Sequence, residues 1–264
     1  MVSDDGGDSI SVASEAHNSA VEGNGGNDTI YFAEDVKASE VRGGDSLDLI
    51  LAVDTVSDSY VAGNKDGDTL ALMSTVTEST VYGGSEANTT DDGADSLYIG
   101  GTLTASTVYG NAGNDTIGLQ TTVRRSFVTA GEGEDFVSAA ENITTSEVAG
   151  NKGRDTLYVG YSTLESTVYG AGNAVVSDDG EDSMVFNAAF IGEERETTVS
   201  AAGIVSGSLI QGNGGNDTLI FLSGITGSDI AVADSEVSGG SGKDSIYAEG
   251  NISTEEALSA TSMT

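Results

Sequence analysis

One ten-residue pattern, V-x-G-[NG]-x-G-x-D-[TS]-[LI], recurs through the chain, and the spacing of its aspartates leaves few folds open. They are Asp8, Asp28, Asp48, Asp68, Asp95, Asp115, Asp135, Asp155, Asp182, Asp217 and Asp244, at intervals of 20, 20, 20, 27, 20, 20, 20, 27, 35 and 27 residues. A second period lies above the first: DDGGDS at residue 4, DDGADS at 91 and DDGEDS at 178 stand 87 residues apart. The chain therefore reads as two copies of a four-turn block and an altered third. Twenty residues are too few for two packed helices and fit one coil of a parallel β-solenoid.

The apolar residues support that fold. Two and four residues after each motif aspartate stand pairs such as Ile30 and Phe32, Leu70 and Leu72, or Leu157 and Val159. Alternation at period two turns both toward one side of a short strand. A second strand carries Val21, Val41, Val61, Val81 and their successors, each preceded by two positions by a serine (Ser19, Ser39, Ser59, Ser79). Those hydroxyls are expected at an inward corner, bonded along the stack. The reading is an all-β, single-domain parallel β-solenoid of about eleven coils, with longer coils at the 87-residue superperiod. Each coil has two strands, a Gly-rich turn on one edge and a looser Thr/Ser/Glu-rich turn on the other. Stacking at about 4.8 Å per coil gives a rod on the order of 50 Å long. The solenoid is expected over 1–250, with 251–264 as a C-terminal cap or flexible tail, and the extensions of the 27-residue coils are expected to bulge from one edge.

Composition narrows the partners. A net charge of -34, with nine Lys and Arg, argues against nucleic acid and against anionic membranes. No apolar run reaches the twenty or so residues of a membrane-spanning helix, and MVSDDGGDSI lacks the segments of a signal peptide. An extracellular or virion-surface location then requires leaderless export or release within an assembled particle. With no cysteine there is neither a disulfide framework nor a thiolate metal site.

Stacking the motif places aspartates of neighbouring coils about 5 Å apart, where each like-charge contact costs on the order of 1 kcal/mol even in water. Such a row needs a counterion, protonation or outward splay. Flexible coordination by six to eight oxygens favours calcium over magnesium. The alternative is that Asp and Asn only cap tight turns through side-chain-to-backbone hydrogen bonds.

The segments GNGGNDTI (23–30), GNAGNDTI (110–117), GNKGRDTL (150–157), GNGGNDTL (212–219) and GGSGKDSI (239–246) resemble the hemolysin-type calcium-binding repeat, G-G-x-G-x-D-x-[apolar]. The resemblance implies a roll with Ca2+ held between successive turns. It implies as ligands the turn carbonyls with Asp28, Asp48, Asp68, Asp115, Asp135, Asp155, Asp217 and Asp244. Only one half of each coil carries the motif, so at most one edge is metallated. GGDSLD (43–48) lacks the second motif glycine, and GNKDGD (63–68) has Asp66 there.

Nothing singles out a catalytic centre. His17 stands alone, Arg124, Arg125 and Arg154 are not seen to converge with an acid, and there is no tryptophan to stack on a sugar. The expected role is that of a non-enzymatic rod on a virion, as decoration or fibre, or on a cell surface. The alternatives are the calcium-binding region of a leaderless secreted adhesin or effector, and a polysaccharide-acting β-helix enzyme. Tyrosines expected to face outward (Tyr31, Tyr98, Tyr158, Tyr247; Tyr82, Tyr109, Tyr169) and the irregular stretch 187–209 are candidate contacts for other structural subunits or for glycans.

Overall fold

Each motif aspartate opens a four-residue strand. In the computed structural model, which describes residues 6–85, 92–171, 180–186, 204–206, 208–213, 215–221, 230–233, 235–248 and 252–254, these strands form one eleven-stranded parallel sheet, here sheet A. It runs from Ser9–Val12 and Thr29–Phe32 to Ser245–Ala248, in order along the chain. Its register follows the repeat: Ile10 pairs with Ile30, Leu70 with Leu97 and Leu219 with Ile246. Sheet C, the strand of inward valines, has ten members from Ala20–Gly25 to Glu236–Ser238.

A third parallel sheet corrects the two-strand coil. Sheet B has eleven short strands, among them Ala16–His17, Val36–Lys37 and Val123–Arg124, inside what the sequence presents as a loose turn. A two-residue strand shows no alternation, so its single inward residue leaves no periodic trace. Ala16, Val36, Val56, Val76, Leu103, Val123 and Ile143 form the inward column of sheet B, all buried. Together with the two columns of sheet A and the one of sheet C they fill the interior, and Phe186 stacks on Phe221 with centroids 5.1 Å apart. No coil encloses this core alone, so burial is shared between neighbours.

The serines stitch the corner between sheets B and C. Ser19 N–H donates to Ser39 Oγ at 3.1 Å, and Ser39 Oγ donates to the Lys37 carbonyl at 2.8 Å. The same step recurs through Ser59, Ser79, Ser106, Ser126, Ser146 and Ser166. To aim the hydroxyl inward, the residue before each serine from Ser19 to Ser166 turns left-handed: Ala38 has φ 48°, Glu78 49° and Thr145 51°. A β-branched residue is strained there. Thr145→Gly is therefore expected to raise stability by about 1 kcal/mol, read as a higher urea midpoint at unchanged slope.

The first two 27-residue coils lengthen between sheets C and A, and Leu70–Leu97 and Leu157–Met184 remain paired across them. The third lengthens elsewhere, between Phe221 of sheet A and Ile230 of sheet B, so the extensions do not share one edge. Residues 187–203, most of the irregular stretch, lie outside the described residues. Beyond residue 250, Ile252–Thr254 pairs with Ile230–Val232 in sheet B; 255–264 also lie outside the described residues.

Candidate metal centre

Because Asp28 precedes inward Ile30 by two, the same alternation points its carboxylate into the molecule, at the corner where sheet C turns into sheet A. Asp28, Asp48, Asp68, Asp95, Asp115, Asp135, Asp155, Asp182 and Asp217 are all buried, at 0–4 % exposure. The row thus lies inside the glycine edge.

Each carboxylate has two environments. Oδ1 accepts the backbone N–H of the aspartate one coil earlier: Asp28 N–H to Asp48 at 2.8 Å, Asp68 N–H to Asp95 at 2.6 Å, and Asp115 N–H to Asp135 at 2.7 Å. This rung repeats from Asp8 to Asp244. Oδ2 faces a glycine of the same corner, five residues back for most of the row and twelve back for Asp95 (Gly83) and Asp182 (Gly170); at Asp135 Ala130 holds that place. A Cβ on Gly63 or Gly110 would meet Asp68 Oδ2 or Asp115 Oδ2, and a neighbouring-coil carbonyl, closer than real Cβ atoms approach. The glycine column is therefore the floor of the row. Oδ2 of Asp28, Asp48, Asp68, Asp95, Asp115 and Asp135 is buried without a hydrogen-bond partner.

An unpartnered buried carboxylate oxygen is costly to ionise. Burial pushes Asp68, Asp95 and Asp115 up to about 8, against partial relief from the N–H each accepts, and neighbouring carboxylates add to the rise. Asp48 and Asp135 rise to about 6 for the same leading reason. The few cations do not relieve this. Lys65 pairs with Asp45 at 3.0 Å, Lys152 with Glu132 at 2.7 Å and Arg154 with Glu134 at 2.9 Å, all on the exposed turn.

The raised values carry a sign. The folded, metal-free chain holds protons that an unfolded aspartate, of pKa about 3.9, has already released. That stabilisation is complete below about pH 4 and is lost as pH rises toward 8. In chelator the melting temperature is therefore expected to fall steadily between pH 5 and 8.5, and Asp68→Asn with Asp115→Asn to flatten the slope. A melting temperature that rises over this window in chelator would contradict the buried row.

The donor set fits a hard cation: it is all oxygen, with the unpartnered Oδ2 atoms beside stacked turn carbonyls. Among the described residues no group of three acidic side chains stands ready to hold an ion. A cation here would therefore draw on one or two carboxylates and on turn backbone. All eight aspartates implied by the resemblance stand in this row. Asp95 and Asp182 stand there too; in both, the extension of the coil separates the aspartate from its motif glycine, Gly83 or Gly170, so the contiguous motif is broken. In the departing turns, Ser46 (φ 89°) and Asp66 (φ 63°) take left-handed backbone like Gly26 (φ 99°) at the same position. His17 is exposed, 3.6 Å from Glu15, and Arg124 and Arg154 lie in different parts of the coil.

Comparison with known proteins agrees with this architecture. Residues 18–35 and 208–231 match the RTX calcium-binding nonapeptide repeat, in four copies. The chain thus carries hemolysin-type calcium-binding repeats. No curated protein matches it. Among solved structures, a hyperactive, Ca2+-dependent, β-helical antifreeze protein from an Antarctic bacterium shares the β-helical fold, with a TM-score of 0.65 at 20% identity. The match covers 95% of this chain and 76% of that one.

Proposed function

We propose that the chain is a non-enzymatic structural rod whose coils are locked together by Ca2+ bound along the inward aspartate row. The supporting observation is the run of buried, unpartnered Oδ2 oxygens from Asp28 to Asp135, in a chain whose residues 18–35 and 208–231 match the calcium-binding nonapeptide repeat. Hydrogen-bonded turn chemistry accounts for Oδ1 but leaves Oδ2 without a role, and a divalent cation supplies one. The ligands proposed are Asp28, Asp48, Asp68, Asp115, Asp135, Asp155, Asp217 and Asp244, joined by Asp95 and Asp182. Because repeats of this type are characteristic of secreted proteins and calcium is abundant outside cells, the rod is assigned to an extracellular setting. Within that setting, the surface of a virion or a cell suits a stiff acidic rod. Isothermal titration of the chelated chain with CaCl2, with MgCl2 as control, tests the reading. Calcium-selective heat with several sites per chain supports it; no calcium heat in a folded chain ends it.

A further inference from the structure

The three faces of the rod differ in charge. Sheet C carries Glu22, Arg42 and Glu147 outward, and sheet B carries His17, Lys37 and Arg124. The outward positions of sheet A are the first and third residues of each strand, and none in its eleven strands is charged. With 20% of the chain charged, about four of those positions would ordinarily be Asp, Glu, Lys or Arg.

The same face gathers the exposed apolar side chains. Leu49, Tyr98, Phe136 and Tyr247 stand on its strands. Every other large hydrophobic that is exposed among the described residues lies in these strands or within two residues of their ends. Depletion of charge with enrichment of aromatics marks the core of a protein interface. The aromatic run on sheet C differs: Tyr82 and Tyr109 stack at 4.7 Å, so each ring spends a face on its neighbour.

We propose that sheet A is the interface for a second copy of this chain, two rods meeting face to face. Strands about 13 Å long, stacked over about 50 Å, offer about 650 Å2 before the rims are counted. A stable interface takes about 800 Å2 per partner. Tyrosine recurs at the third strand position in every third coil (Tyr31, Tyr98, Tyr158, Tyr247), with smaller residues such as Ala71 and Ser138 among those between. An antiparallel pair in full register, first coil opposite last, sets these rings opposite the intervening residues. The arrangement also keeps charged side chains out of the contact, since none stands at the outward positions of sheet A, and salt screens charges on the other faces beyond about 8 Å. The proposal is independent of the calcium reading.

The test is sedimentation velocity of the full chain in calcium and 150 mM salt, from about 1 to 100 µM. The expected result is a species of twice 26.6 kDa at the upper end. Leu49→Glu with Phe136→Glu should return it to monomer with unchanged circular dichroism, while Thr77→Glu on sheet B should leave the dimer intact. If the double variant does not fold, Tyr98→Glu alone should still weaken association at least tenfold. A folded wild type that is monomeric at 100 µM, or a dimer that survives the face variants, overturns the proposal.

Discussion

In excess chelator the chain is expected to melt tens of degrees below its calcium-loaded form, with magnesium restoring little of the difference. A site filled to a hundred times its dissociation constant adds about 2.7 kcal/mol. Five such sites along the row would exceed about 13 kcal/mol, and each kcal/mol moves the midpoint of a chain this size by about 2–4 °C. The decisive control is the triple change Asp68→Asn, Asp95→Asn, Asp115→Asn. Without metal, these carboxyls are already largely protonated near neutrality, being pushed up to about 8. An amide keeps the acceptor for the rung, so the triple variant should match or slightly exceed the wild type in chelator. In calcium it should lose a large part of the gain. Equal melts of wild type and variant in calcium would sink the metal row and leave the carboxylates as turn caps.

Gly110→Val should be the most damaging single change in the row. Its Cβ would land against the Ala130 carbonyl and Asp115 Oδ2, driving Asp115 from the corner. The Asp95 N–H, now bonded to Asp115 at 2.8 Å, would be left buried without its acceptor. Overpacking costs about 1–3 kcal/mol and an orphaned buried donor about 1–3 kcal/mol more, so a loss of about 4 kcal/mol is expected in thermal melts. The branched side chain matters. Ala130 occupies the same place one coil on with its rung intact at 2.7 Å, so one methyl is absorbed. Thr116→Val, on the outer face of the neighbouring strand, should stay within about 0.5 kcal/mol of wild type. If Gly110→Val matches that control, the glycine column is not what shapes the row.

The sequence made most of the rod legible because its inward positions repeat at fixed steps: Ile30 and Phe32, Val41, and the serine at 39 can each be followed from coil to coil. The carboxylate row was legible for the same reason, since each aspartate is one more member of the alternating series. What escaped had no period of its own to display. Val36 and its counterparts occupy two-residue strands, too short for alternation to declare them. Asp95 and Asp182 are visible in the periodic series, yet not among the ligands the resemblance implies, because a seven-residue lengthening separates each from its motif glycine. The unequal charge of the faces is invisible along the chain, because outward residues of sheet A are interleaved with core residues in every coil. It emerges only when the strands are laid side by side.

The aspartate rungs all run in one direction: the N–H comes from the earlier coil and the acceptor from the later one. A rod broken between coils would therefore have unlike ends, one with a bare donor and the other with a bare carboxylate. The order also matches that of synthesis. As the chain leaves the ribosome, each coil emerges with its aspartate N–H still open, and the next arrives carrying the oxygen that closes it. Assembly thus has a built-in arrow, with every finished turn completed by its successor.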